Sequence, residues 1–173
     1  MEDSSLIEQF DRNDAADFIA TPQWQQQCYE NTALTRQWQH PLIQTLHQEF
    51  ETGLITRWTA RLVELAMIPE KMRHLQAQLS HSHERPQEQH HSDAGVSQVE
   101  AARGRLIHRI KMDHNIITDY QILAPTEWNF HPQGLIQQSL SSLVARDQQT
   151  LEQLARIVIN TIDPCVGYTL RIH

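Results

Sequence analysis

The chain has 173 residues, a formal net charge of −7 and only two lysines. This length is typical of one domain with a core of its own. The acidic balance argues against a face that neutralises nucleic-acid phosphates or binds an anionic membrane surface. No window approaches eighteen apolar residues, so insertion of a helix into a membrane is not expected.

The N-terminus begins with the polar, acidic sequence MEDSS. It lacks the basic and apolar parts of a signal peptide, so a cytoplasmic protein is expected. The two cysteines, Cys28 and Cys165, are far apart in the sequence. In a cytosolic chain they are expected to be free thiols or metal ligands. No glycine-rich phosphate loop is present, so no nucleotide cofactor is expected.

Residues 1–26 are predicted to be an acidic, irregular N-terminal segment, with one short helix over 14–20. Residues 27–173 are predicted to form a single domain. Its pattern is helical from about 31 to 79, and one apolar stripe runs along the helix that follows Gly53. That stripe consists of positions 54, 55, 58, 62, 65 and 66.

The later part of the chain combines a hairpin with two more helices. Pro69 is expected to break the helix after Gly53, with a further helix over about 70–79. Residues 80–97 are predicted to be an exposed, histidine-rich loop. A change to period-two alternation predicts a β-hairpin from residues 105–111 and 116–123.

The last two helices are predicted over about 134–144 and 147–162. The second has a buried stripe of Leu151, Leu154, Val158 and Ile162, and it delivers Cys165. These elements predict an α+β fold, mainly helical: a helical bundle with one β-hairpin.

Cys165 lies in the turn sequence DPCVGY at residues 163–168. A thiolate is a soft ligand suited to iron or nickel, and Pro164 restricts the backbone that presents it. A second cysteine three residues later would complete a chelating pair, but Tyr168 occupies that position. The alternative interpretation is a buried structural cysteine, which is common in protein cores.

Four motifs in this order resemble the C-terminal part of the nickel–iron hydrogenase large subunit. Residues 30–36 (ENTALTR) resemble Glu-Thr-Gly-x-Leu-Ala-Arg, and residues 99–104 (VEAARG) resemble Glu-Ala-Pro-Arg-Gly. After the hairpin, residues 124–129 (APTEWN) resemble Val-Pro-Thr-x-Trp-Asn. Residues 163–165 match the start of Asp-Pro-Cys-x-x-Cys. The resemblance covers roughly residues 14–173.

The departures from that family point to one of its branches. Catalytic large subunits hold their metals with four cysteines in two Cys-x-x-Cys pairs, whereas only Cys165 remains here. The chain also ends at His173 without the extension that a maturation protease removes. These features resemble the large-subunit-like maturation proteins of the HupK/HoxV type, and imply a non-catalytic protein.

The resemblance implies a transient scaffold for the Fe(CN)2CO precursor of the nickel–iron cofactor. Cys165 would bind the iron, while Arg103 and Thr126 would contact its cyanides. The implied partners are HypC/HypD-type maturation factors and the hydrogenase large subunit. A partner or an N-terminal half would have to supply a second thiolate, because one cysteine holds iron weakly.

Each of these residues also has an ordinary structural interpretation. Arg103 could form a surface ion pair with Glu100, and Thr126 could serve as a turn hydroxyl. A core thiol is the expected role of Cys28. The flexible-loop residues His81, His83, His90 and His91 favour adventitious nickel or zinc binding. His173 resembles a C-terminal metal ligand of the family, with a different spacing from the cysteine.

Two other hypotheses remain open for the whole chain. One is a degenerate or split large-subunit fragment that works only with an N-terminal half. The other is a docking module that binds no metal, for which replacing Cys165 with serine would leave maturation unaffected.

Overall fold

The computed structural model describes residues 2–79 and 94–172. Within these ranges it has eight helices and three strands, and no helix there is long and apolar enough to cross a membrane. The elements are α1 (Asp3–Phe10), α2 (Ala15–Ala20), α3 (Ala33–Arg36), α4 (Pro41–Phe50), α5 (Leu54–Gln78), β1 (Ala94–Ala101), β2 (Gly104–Asp113), β3 (Ile116–Leu123), α6 (Pro125–Asn129), α7 (Leu135–Ser141) and α8 (Gln148–Ile162). The predicted α+β class is confirmed.

The sheet has three antiparallel strands in the order β1-β2-β3, so it contains one strand more than the predicted hairpin. Residues 94–97, predicted as part of the loop, begin β1, which pairs with β2 from Ala94 opposite Lys111 to Ala101 opposite Gly104. The loop prediction is wrong there because residues 94–97 contain only one large apolar residue, Val96. Backbone pairing at an edge leaves little trace in a hydrophobic pattern. Residues 80–93 lie outside the described residues.

The N-terminal segment contributes a helix to the core of the sheet. Leu6 and Phe10, four residues apart on α1, are buried against Ile107, Leu123 and Trp128. The prediction of irregular structure is therefore wrong for residues 3–10. The i, i+4 spacing supplies a buried helical face, but the acidic residues around it obscured that pattern. The short helix predicted nearby is confirmed as α2.

Helix α5 is continuous through Pro69, so the predicted break at that residue is wrong. Proline removes one backbone N–H and leaves the carbonyl four residues earlier without its helical partner. Every residue from 65 to 79 is exposed, so water can bind that carbonyl. The helix core side is formed by Thr56 and Ala60. The predicted apolar stripe instead has exposed members, including Trp58 and Leu65.

Helix α8 closely matches its prediction and leads to the cysteine turn. Asp147 caps it by accepting a hydrogen bond from the Thr150 amide at 2.7 Å, which lowers the pKa of Asp147. Val158 and Ile162 are buried as predicted, whereas Leu151 and Leu154 are half-buried. The residue that follows the helix, Asp163, is in the left-handed conformation, with φ 61°.

Candidate functional site

The structure brings Cys165 and Thr126 into direct contact although 39 residues separate them. Thr126 Oγ1 lies 2.8 Å from Cys165 Sγ. The Cys165 amide donates to the same oxygen at 3.4 Å. The hydroxyl and the thiol lie within hydrogen-bond distance, and either group can donate to the other. The thiol is exposed, so it is accessible to a ligand or a metal.

Arg103 lies in the turn between β1 and β2 and forms an ion pair beside the cysteine turn. Its Nε lies 3.2 Å from Oδ2 of Asp163, two residues before Cys165. Arg61 Nη2 lies 3.2 Å from the same oxygen. Two guanidinium groups therefore share one carboxylate. This leaves one positive charge and several N–H donors beside the turn.

The partner of Arg103 differs from the one expected for a surface ion pair. Glu100 pairs with Arg36 at 3.1 Å and with Arg105 at 3.5 Å. Arg103 pairs with Asp163, which links the VEAARG turn to the Asp-Pro-Cys turn. Two of the motifs are thus joined by a charge pair.

Asn31 and Asn129 join two of the motif segments to each other and to the start of β2 by hydrogen bonds. Asn129 Oδ1 accepts from the Asn31 amide at 2.7 Å, and Asn129 Nδ2 donates to the Asn31 carbonyl at 2.9 Å. The Asn31 side chain in turn accepts from the Arg105 amide at 2.9 Å and donates to the Arg105 carbonyl at 3.1 Å. We call Asn31, Asn129 and residues 103–105 the asparagine bridge.

Gly104 is required where the asparagine bridge meets the β1–β2 turn. Its φ of +132° disfavours any residue with a side chain. A Cβ there would also lie 2.4 Å from the Asn31 carbonyl oxygen. This close approach fixes the backbone next to Arg103.

Arg36 supports the same turn from the helical side. It donates to both carboxylate oxygens of Glu64, at 2.6 and 2.7 Å. It also donates to the Ala102 carbonyl at 2.9 Å, next to Arg103. The hydrogen bond from Arg36 lowers the pKa of Glu64.

Sequence reasoning missed Asn31, Arg61 and Asp163 as supporting residues. Asn31 and Asp163 lie inside the motifs, which was a usable signal for their importance. Their partners depend on tertiary contacts across about 100 residues, such as Asn31 with Asn129 and Arg61 with Asp163. Short-range patterns carry no information about such pairings.

Cys28 is half-buried and has a partner of its own. Its Sγ lies 3.2 Å from Nδ1 of His131, a buried residue. The same Nδ1 accepts from the Gln133 amide at 3.0 Å, so this nitrogen carries a lone pair. Cys28 is therefore placed to donate its S–H to His131. Both cysteines are free thiols.

Histidines 81, 83, 90, 91 and 173 lie outside the described residues. Within residues 2–79 and 94–172 no group of three histidine, cysteine, aspartate or glutamate side chains could hold a metal ion. In the described part of the chain, Cys165 can therefore supply only part of a ligand set.

The sequence and fold define a large-subunit-like protein of the hydrogenases. Residues 4–170 match the family described as nickel-dependent hydrogenase, and the chain belongs to that family. It is similar to the hydrogenase expression/formation protein HupK of Bradyrhizobium diazoefficiens. The two are 40% identical over 77 residues, which cover 44% of this chain and 21% of that protein.

A longer match links the chain to the hydrogenase expression/formation protein HoxV of Cupriavidus necator. The two are 29% identical over 164 residues, which cover 90% of this chain and 41% of HoxV. The chain thus spans less than half the length of both curated relatives. The predicted resemblance to this group is confirmed.

Solved structures of the nickel–iron–selenium hydrogenase have the same fold. The reduced enzyme from Desulfovibrio vulgaris Hildenborough superposes with a TM-score of 0.69 at 22% identity, over 84% of this chain and 36% of that chain. A variant of the same hydrogenase, pressurized with oxygen gas, has a TM-score of 0.70 at 23% identity. These likenesses identify the fold.

Proposed function

We propose that this chain is a non-catalytic scaffold in the assembly of the nickel–iron hydrogenase active site. It would hold the Fe(CN)2CO group as cargo before transfer to a hydrogenase large subunit. The names of its relatives, hydrogenase expression/formation proteins, support an assembly-related role. The observation that carries the proposal is the exposed Cys165 thiol in contact with Thr126.

Cys165 would supply a thiolate to the iron. The turn after α8 presents the sulfur at the surface, where cargo could enter and leave without unfolding the chain. A thiolate is a soft ligand and suits the iron of the Fe(CN)2CO group. With iron held by Cys165, the hydroxyl of Thr126 would lie beside it and could donate a hydrogen bond to a cyanide nitrogen.

Arg103 would provide charge and hydrogen bonds to a second cyanide. A guanidinium group combines a positive charge with several hydrogen-bond donors. The pair with Asp163 uses one of them, and Arg103 is 47% exposed. Arg61 contacts the same carboxylate oxygen of Asp163. The arrangement therefore suits an anionic diatomic ligand next to the cysteine turn.

A single thiolate fits a carrier better than a catalyst. The family resemblance implies that catalytic large subunits hold their metals with four cysteines, and Tyr168 occupies the position of one of them. Weak attachment through one sulfur would allow release of the cargo. A HypC/HypD-type maturation factor, or another part of the same assembly, would supply the second thiolate.

Infrared spectroscopy on protein purified without oxygen tests this proposal. The protein would be expressed in cells that contain the cofactor-assembly machinery. We expect cyanide and carbonyl stretching bands from the wild type and their loss in Cys165→Ser. Cys28→Ser is the matched control, and this variant is expected to keep the bands because the Cys28 sulfur contacts His131.

Two further variants test Thr126 and Arg103, the residues proposed to contact the cyanides. Thr126→Val keeps the side-chain shape but removes the donor, so the bands should persist at shifted frequencies. Arg103→Lys keeps the charge but removes the planar fork, with the same expectation. Bands that survive in Cys165→Ser, or bands absent from every sample including the wild type, would contradict the scaffold.

A further inference from the structure

The outer face of α5 carries a row of large apolar side chains in contact with solvent. Leu62, Leu65 and Met72 are 60%, 63% and 63% exposed. The other members of the row are Ile55, Trp58, Ile68, Leu75 and, directly after the helix, Leu79, each more than 40% exposed. We call these eight residues the α5 stripe. Contiguous exposed apolar surface of this kind marks an interaction site.

The α5 stripe has the spacing of a helix-packing seam. From Ile55 to Leu65 its members follow one another at intervals of three, four and three residues. Leu65, Met72 and Leu79 then repeat every seven residues. At about 100° per residue the row occupies roughly 160° of the helix circumference. Such a stripe matches the apolar face of another helix.

The two halves of α5 differ in packing. The N-terminal half packs within this chain, whereas the C-terminal half, from residue 65 onwards, is exposed, and we call it the outer half of α5. Thr56 and Ala60 are fully buried, and α5 packs against α3, α4 and α8. From residue 65 to its end, all residues of α5 are exposed. Isolated helical segments of this length are marginal in water, so most of their stability comes from tertiary packing. The outer half of α5 lacks such packing within the described residues.

The size of the family fold indicates what covers the stripe. This chain corresponds to 41% of HoxV and to 36% of the superposed hydrogenase chain. More than half of that fold therefore lies outside the 173 residues. Where the whole fold is present, we expect other helices to cover the apolar outer face of the 25-residue helix α5.

We propose that the α5 stripe docks an amphipathic helix belonging to the part of the large-subunit-like fold that lies outside this chain. The inference rests on the fold and is independent of whether Cys165 carries cargo.

The docking face is continuous with the candidate site. A groove of about 330 Å³ is lined by Trp58, Leu62 and Leu65 of the stripe. The same groove is also lined by Arg61, Arg103 and Asp163, the charged residues beside the cysteine turn. A helix seated on the stripe would therefore cover one side of the site and exclude water from it.

Co-expression tests this inference. The tagged chain would be produced together with the portion of Cupriavidus necator HoxV that lies outside its match to this chain. We expect the two to co-purify, and the affinity to be measured by titration of the separated components. Leu65→Glu and Met72→Glu should each weaken binding about thirtyfold or more, because each places a charge in the apolar contact.

Controls separate docking from folding and from cargo binding. Val144→Glu alters an apolar residue outside α5 that is 89% exposed, and it should bind as the wild type does. Cys165→Ser should also bind normally, even if it abolishes the infrared bands. Circular dichroism would verify that the α5 variants remain folded, as expected for exposed positions.

Three results would overturn the proposal. The first is failure of the HoxV portion to co-purify, including its recovery only as insoluble material beside the soluble chain. The second is binding that Leu65→Glu and Met72→Glu leave unchanged. The third is a dimer of the chain alone that both substitutions dissociate, since a second copy would then occupy the stripe.

Discussion

The asparagine bridge and the outer half of α5 differ in whether their side chains find partners within the described residues. In the bridge, Asn31 and Asn129 exchange two hydrogen bonds, and Asn31 exchanges two more with the Arg105 backbone. In the outer half of α5, residues such as Leu65 and Met72 leave apolar surface in water.

The difference shows which part of the molecule is self-sufficient. Loops that carry the motifs are fixed by contacts within the chain, so Arg103 and Cys165 are positioned before any partner or cargo binds. The outer half of α5 is a regular helix whose apolar face is exposed in the described part of the chain. Preorganised polar groups thus characterise the candidate site, and exposed apolar groups characterise the candidate interface.

Gly104→Ala should break the bridge most severely. The new Cβ would lie 2.4 Å from the Asn31 carbonyl and would require a positive φ. We expect the free energy of unfolding to fall by about 4 kcal/mol, measured by chemical denaturation. Gly167→Ala is the control, because a Cβ there meets no described atom within 4 Å. Equal stability of the two variants would contradict the described backbone approach.

Asn129→Ala should have the next largest effect. It removes both bonds to Asn31 and leaves a backbone N–H and C=O in a buried setting without their partner. The expected loss is about 2 kcal/mol in the free energy of unfolding. The comparison variant is Asn160→Ala, an exposed helical position whose side chain has only a 3.4 Å contact with Tyr168. A loss as large at Asn160 would show that the bridge is not special.

Glu64→Gln tests the ion pair that supports the same turn. Arg36 lowers the pKa of Glu64 below its ordinary value of 4.5 by hydrogen bonding to the charged carboxylate. The stabilisation is therefore present above 4.5 and is lost as the pH falls through the lower folded-state pKa. We expect the variant to be about 1 kcal/mol less stable at neutral pH. That difference should shrink in acid, as followed by denaturation over a pH series.

Leu65→Ala should have the smallest effect on the chain alone. The side chain is 63% exposed, so its removal should change the free energy of unfolding by no more than about 0.5 kcal/mol. Ile43→Ala provides the contrast, because Ile43 is fully buried and its truncation should cost about 3 kcal/mol. A large loss at Leu65 in thermal denaturation would mean that the stripe is packed within the chain.

Sequence patterns predicted the elements whose signals are local. The period of Val158 and Ile162 located α8, and alternation located the hairpin strands β2 and β3. Ordered motifs also indicated the family and selected Thr126 and Cys165, which the structure places in contact. Their proposed roles toward the cargo stay predictions.

Features that depend on distant partners escaped prediction. Strand β1 is held by backbone pairing to β2, and α1 forms where Leu6 and Phe10 meet the sheet. Pro69 was expected to end a helix, but an exposed helix tolerates the carbonyl that it frees. The contacts of Asn31 likewise depend on residues about 75 and 100 positions away.

Amide hydrogen exchange tests the contrast between these two regions most directly. In the chain alone, we expect slow exchange for the Asn31 and Arg105 amides, which donate to the side-chain oxygens of Asn129 and Asn31, and fast exchange for residues 66–78. Addition of the HoxV portion should slow exchange in residues 66–78. Equal protection of both regions in the chain alone, or no change in α5 after the HoxV portion is added, would contradict this division of the molecule.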